Sequence, residues 1–247
     1  DGTRSVHAGL PAPAPGAPFL PGPVFAAHFH LSGDPVGPYT YGRETNPTWT
    51  HLERAIGELE APGEEVSTTV FASGMAAITA VLLSQVRSGD AVVLPDDGYQ
   101  ALPLVREQLA AYGVEVRTAP TGGDAQLALL NGAKLLWIES PSNPGLDVCD
   151  IPRLVEAAHA AGALVAVDNT LATPIGQRPL ALGADFSVAS DTKGMTGHGD
   201  ILLGHVTCRD PRLTADVRRW RKVVGAIPGP MEAWLAHRSL ATLQLRI

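Results

Sequence analysis

The sequence Ser190-Asp191-Thr192-Lys193 sets a lysine beside two hydroxyls. Ser190 and Thr192 can donate hydrogen bonds to phosphate oxygens while the Lys193 amine reaches a neighbouring aldehyde. An amine in a desolvated site close to other cations loses basicity and becomes nucleophilic at neutral pH. A lysine in a polar turn is, taken alone, a solvated surface residue, so its company matters. Upstream, Val167-Asp168-Asn169-Thr170 ends an apolar run in an acid. A carboxylate there is expensive to desolvate unless a positive group meets it. It can cap the next turn, pair with a basic side chain, or face a protonated pyridine nitrogen and keep that ring an electron sink. A third segment, Ala72-Ser73-Gly74-Met75-Ala76, links an apolar run to a helical pattern. Free N–H groups at such a helix start make an anion site, Ser73 can cap it, and glycine lets a phosphate approach closely. Alone, this third signal is weak.

Each segment directly follows a short apolar run, and the runs define the frame. Strands are predicted from Ser67 to Phe71, Ala91 to Leu94, Val114 to Arg117, Lys134 to Ile138, Ala163 to Val167, Asp185 to Ala189 and Ile201 to Val206, many of them separated by helical patterns. Such alternation implies an α/β fold with a mostly parallel sheet, helices on both faces, and ligands at the carboxyl ends of the strands. Asn46-Pro47 is an N-cap followed by proline at the first helical position, with Leu52, Ile56 and Leu59 at helical spacing behind it. The folded body is therefore expected over residues 46–247, after an extended N-terminal arm over residues 1–45. In the arm, Pro11, Pro13, Pro15, Pro18, Pro21 and Pro23 oppose regular helix. Phe19, Phe25 and Phe29 call for a surface on which the arm can lie.

Composition narrows the function classes. The 247 residues are 45% hydrophobic and 17% charged, a balance suited to one large globular unit. A net charge of −7 without a dense basic run argues against nucleic acid or an anionic membrane as partner and favours a small molecule. Cys149 and Cys208 have neither disulfide-framework nor metal-ligand spacing, so both are expected to be reduced, no metal is expected, and a cytoplasmic setting follows.

The order of phosphate turn, strand-end acid and Ser-x-Thr-Lys resembles the Cys/Met-metabolism family of pyridoxal 5′-phosphate (PLP) enzymes. Thr3-Arg4-Ser5-Val6-His7-Ala8-Gly9, Tyr41-Gly42-Arg43, Asn46-Pro47-Thr48 and Glu139-Ser140-Pro141-Ser142-Asn143-Pro144 extend the likeness along the chain. The resemblance implies PLP fold type I, the aspartate-aminotransferase-like large domain, with PLP as cofactor. It assigns Lys193 the covalent link to PLP and later proton transfer, and Asp168 the pyridine nitrogen. Gly74, Met75, Ser190 and Thr192 would take the phosphate, Asn143 would lie near the phenolic oxygen, and Tyr99 would stack on the ring. Tyr41 and Arg43 would reach the PLP of a neighbouring subunit, in a homodimer or homotetramer with shared sites.

The implied reaction is carbon–sulfur chemistry on sulfur amino acids. Within the family, Pro21-Gly22-Pro23-Val24-Phe25, Tyr41-Gly42-Arg43 and the run from Phe71 to Ile78 carry a resemblance to cystathionine γ-lyase, which implies γ-elimination of L-cystathionine to cysteine, 2-oxobutyrate and ammonia. Cystathionine γ-synthase, methionine γ-lyase, O-acylhomoserine sulfhydrylase and a catalytically dead PLP-fold scaffold are the alternatives. Two departures from the family pattern stand out. Gln100-Ala101 replaces the Gly-Gly that commonly follows this tyrosine. The family's smaller C-terminal domain, which supplies the arginine for the substrate carboxylate, is expected to be absent from this chain. Arg246 is expected to solvate a helix end instead.

Overall fold

The computed structural model describes residues 1–33 and 36–247. Its helices are α1 (Gly2–His7), α2 (Pro47–Glu60), α3 (Gly74–Gln85), α4 (Leu102–Ala111), α5 (Ile151–Ala160), α6 (Thr173–Gly176), α7 (Pro211–Val224), α8 (Pro230–Leu240) and α9 (Leu243–Arg246). Seven strands, β1 (Ser67–Phe71), β2 (Ala91–Pro95), β3 (Glu115–Ala119), β4 (Ala133–Glu139), β5 (Leu164–Asp168), β6 (Phe186–Ala189) and β7 (Gly204–Cys208), form one sheet in the order β1-β7-β6-β5-β4-β2-β3. Only β7 runs against its neighbours, pairing antiparallel with β1 and β6.

The alternation of side chains across the strands sorts the core into layers. Val92, Leu94, Leu135, Trp137, Phe186 and Val188 join α3, α4 and α7 on one face. Val93, Leu136, Ile138, Val165 and Val167, one residue out of phase, meet α5 on the other. A third cluster packs Trp49, Leu52, Ile56 and Leu59 of α2 against α8 and the segment around Met195. Both faces of the sheet are thus covered, which is why its strands read as continuous apolar runs rather than alternating ones. Burying each large apolar side chain is worth about 1.5–3 kcal/mol, so the sheet is a stiff platform for the loops at its carboxyl edge. Among the described residues no helix is long and apolar enough to cross a membrane.

Local chemistry places the helix starts. Asn46 accepts from Thr48 N at 2.8 Å with Pro47 opening α2, and Ser73 accepts from Ala76 N at 3.1 Å at the head of α3. Two expectations are corrected. The arm is not extended throughout, because Gly2–His7 is helical. These residues precede the first proline, and Arg4 ties the turn to Asp1 and to Glu58 of α2. The last strand begins at Gly204 rather than Ile201, since Leu203 bonds Thr192 instead of joining the ladder, with Thr192 N donating to Leu203 O at 3.2 Å.

The rest of the arm is tied to the body at points along its length: His51 and His237 meet Gly9 O and Ala8 O, Tyr39 donates to Thr50, and Arg43 and Glu44 meet the end of α7. Val24 bonds Thr48 and Asn46, and Trp234 donates to Pro21 O. Phe19 and Phe25 are 65% and 69% exposed. Phe19 meets the His7 ring edge-on at 5.8 Å, and both phenyl rings remain largely open to solvent among the described residues.

Candidate active site

Two glycines bring the head of α3 against the turn that follows β6. A Cβ on Gly74 would lie 2.5 Å from Ser190 Cβ, and one on Gly204 would lie 2.5 Å from Ser73 O. Only glycine permits either approach. The first N–H groups of α3, on Gly74 and Met75, have no partner within the helix and carry the positive end of its dipole. They and the hydroxyls of Ser190 and Thr192 converge on one cleft of about 450 Å3. The Thr192 hydroxyl is engaged with Leu203, donating to its carbonyl at 3.2 Å and accepting from its N–H at 3.0 Å, so it would have to turn to serve an anion.

The same cleft is lined by Lys193, Asp168, Tyr99 and Asn143. Lys193 forms no salt bridge among the described residues, and its backbone N–H donates to Ser190 O at 3.1 Å, closing the turn. Asp168 ends β5 and is 7% exposed. Thr170 donates to it twice, from its hydroxyl at 2.6 Å and its N–H at 3.0 Å. Burial raises the Asp168 carboxyl above its usual range, and the Thr170 bonds and the positive field of His205 oppose that rise. No Lys or Arg side chain pairs with it among the described residues. A buried anion in that position is complementary to a cationic group inside the cleft, as a protonated ring nitrogen would be.

Glu139 is the site residue that the sequence reading left without a role. It ends β4 in register with Asp168 on β5. One of its oxygens accepts from Tyr99 N at 2.8 Å and the other from Asn143 N at 3.0 Å. A single carboxylate therefore fixes both loops that carry Tyr99 and Asn143. Its signal in the sequence was the one that exposed Asp168, an acid closing an apolar strand. Thr170 was also passed over, although it accepts from Ser190 N at 2.8 Å and so couples the ends of β5 and β6.

Tyr41 and Arg43 do not line this cleft. Arg43 lies over the Tyr41 ring at 5.3 Å and donates to Lys222 O at 2.7 Å, while the Tyr41 and His28 rings are 5.5 Å apart. Arg246 serves a helix end, donating to Ser239 O in the last turn of α8 at 3.0 Å. It also donates to Gly194 O at 2.7 Å and Met195 O at 2.9 Å, carbonyls of the segment after Lys193 that face α9 and need donors.

Comparison with known proteins follows this geometry. Residues 24–247 match the model of the Cys/Met metabolism PLP-dependent enzyme family. The chain is 79% identical over 248 residues to a Streptomyces coelicolor protein named "Putative cystathionine gamma-lyase", covering 100% of this chain and 63% of that protein. It is 36% identical to the cystathionine gamma-synthase of Mycobacterium bovis, covering 99% of this chain and 64% of that protein. Crystal structures of a Micromonospora echinospora protein, described once as a cystathionine gamma lyase and once as a methionine gamma lyase, share 41% identity at a TM-score of 0.90. They cover 99% of this chain, which spans 64% and 66% of them. The chain thus spans a little under two thirds of the curated relatives it resembles.

The Glu139 carboxyl gives a pH signature. Burial, and then the charge of Asp168, push Glu139 from 4.5 up to about 7. Between those values the folded state holds more protons than the unfolded state. Its contribution to stability is present below pH 4.5 and is lost as pH rises through about 7. In urea titrations of cofactor-free protein across this interval, Glu139→Gln should show a smaller loss of unfolding free energy with rising pH than the parent. An identical slope would mean that Glu139 titrates in the ordinary range.

Proposed function

The chain belongs to the Cys/Met metabolism family of PLP-dependent enzymes, and from that premise we propose that it is the cofactor-binding part of a cystathionine γ-lyase. In that reaction the γ-carbon–sulfur bond of L-cystathionine breaks, water enters, and cysteine, 2-oxobutyrate and ammonia leave. The observation that carries the reading is the convergence of Lys193, Asp168 and the head of α3 on one cleft. The 79% relative points to the lyase, while the lower-identity relatives spread over lyase and synthase names.

The cleft fits PLP on its own terms. The free N–H groups of Gly74 and Met75, brought against the Ser190 turn because Gly74 has no Cβ, and the hydroxyls of Ser190 and Thr192 suit a phosphate. Bound PLP would supply an aldehyde for the Lys193 amine and a ring that accepts electrons from the substrate α-carbon. Asp168, oriented by Thr170, would hold a proton on the ring nitrogen. Tyr99 would cover the ring face, and Asn143 would serve the phenolic oxygen. Glu139 keeps both of those side chains in register. The Lys193 amine at the cleft would serve as the base that takes the substrate α-proton and as the acid that returns a proton to a neighbouring carbon.

Tyr41 and Arg43 belong, in this reading, to the site of a neighbouring subunit in a homodimer or homotetramer. Their distance from the cleft of their own chain and the exposed Phe19 and Phe25 of the same arm support it. Arg43 is suited to bidentate phosphate binding and Tyr41 to proton transfer. A division into an arm over residues 1–45 and a PLP-binding body over residues 46–247 follows from the same picture. The free thiols Cys149 and Cys208 suit a cytoplasmic setting.

Three measurements test this reading. Borohydride reduction of the yellow protein followed by peptide mapping should place the pyridoxyl group on Lys193, and Lys193→Ala should take no label. Label on Lys134 or Lys222 would overturn the site. Product analysis of the full-length protein should show cysteine and 2-oxobutyrate from L-cystathionine faster than methanethiol from methionine. A higher rate with O-acylhomoserine and cysteine would make it a synthase. Exchange of subunits between inactive Lys193→Ala and Arg43→Ala proteins should restore activity toward about a quarter of the parent, because each mixed dimer holds one site free of both lesions. No recovery under conditions that exchange subunits would return Tyr41 and Arg43 to a role within their own chain.

A further inference from the structure

Asp191 lies between two cleft residues, Ser190 and Thr192, but turns the other way. Its Oδ1 meets Nδ1 of His205 at 2.7 Å, and Nε2 of the same ring meets Glu60 Oε1 at 3.2 Å. The side chains of His205 and Glu60 have no exposed surface and that of Asp191 has 2%. His205 sits on β7, in register with Ala189 of β6 and Val70 of β1, and Glu60 is the last residue of α2. The ring therefore ties the lysine turn to the sheet and to the helix behind it. We infer that His205 is a positioning residue, a buried imidazolium clamped between Glu60 and Asp191 that fixes the Ser190–Lys193 turn in the geometry that holds the cofactor. This rests on the reading of Lys193 and its hydroxyl neighbours as the PLP site.

Three features carry the inference. Asp191 Oδ2 and Glu60 Oε2 have no hydrogen-bond partner among the described residues, so the other oxygen of each carboxylate depends on His205 for its compensation. The main chain of Asp191 is held as well, its carbonyl accepting from Thr196 N at 3.1 Å and from the Thr196 hydroxyl at 2.8 Å. Both ends of the residue are therefore immobilised, which fixes the turn that places Ser190, Thr192 and Lys193 at the cleft. Burial favours the neutral ring, but Asp191 and Glu60 override it and raise His205 to about 10. The charge so retained also helps to keep Asp168 ionised.

The test compares His205→Gln with Thr207→Val on the same strand, which removes a buried hydroxyl bond to Thr68 of β1 but leaves the clamp intact. Three quantities are read on PLP-loaded protein at a temperature where both variants are folded. These are the rate of PLP loss to a scavenger, the visible circular dichroism of bound PLP, and borohydride labelling of Lys193. His205→Gln should lose PLP about tenfold faster or more, with altered visible dichroism, while Thr207→Val keeps the parental values. Parental values in His205→Gln, or the same change in both variants, would overturn the inference. If His205→Gln does not fold, Asp191→Asn/His205→Gln replaces it under the same criteria, since it removes one charge of each sign and leaves the net charge of the cluster unchanged. Failure of the parent itself to label at Lys193 would instead overturn the PLP reading on which the inference stands.

Discussion

Carboxylates buried at the carboxyl ends of neighbouring strands must each be compensated, and the site is organised around how this is done. Glu139 closes β4, Asp168 closes β5 and Asp191 lies in the turn after β6. Each has a different partner. Glu139 takes two backbone N–H groups and so fixes two loops, and Asp191 takes a buried imidazolium. Asp168 takes Thr170 and keeps its remaining affinity for a cation directed at the cleft. A parallel sheet makes this possible because successive strands deliver their last residues to the same edge.

The side of the cleft proposed for the phosphate depends on close approach rather than on net charge. A chain with a net charge of −7 attracts anions poorly at long range, yet the head of α3 offers oriented N–H groups where Gly74 meets Ser190. Gly204 sets that helix against β7 by the same means. The contact also places α3 over the apolar face of the sheet, so the packing that stabilises the domain and the packing that shapes the anion site are one arrangement. Arg246 contributes from the opposite side by bonding the carbonyls after Lys193.

The arm follows a different logic. Proline keeps most of it out of helix and strand, and bonds to α2 and α8 give it direction without burying Phe19 and Phe25. Tyr41 and Arg43 are held by contacts with each other, with His28 and with the end of α7, at a distance from the cleft of their own chain. This placement is the one that the proposed sharing of a site between subunits calls for.

The alternation of apolar runs and helical patterns was enough to read the sheet, and the residues immediately after each run held Gly74, Asp168, Ser190, Thr192 and Lys193. That reading succeeds because strand ends and helix caps are local, set by a few neighbouring side chains such as Ser73 and Asn46. Tertiary structure alone decided what those ends meet. The antiparallel entry of β7, the start of its ladder at Gly204, the two loops gathered by Glu139 and the joining of Glu60, Asp191 and His205 all unite residues far apart in sequence. Hydrophobic periodicity says which face of a strand is buried, but not which strand lies beside it. Compensation of a buried charge depends on that neighbour.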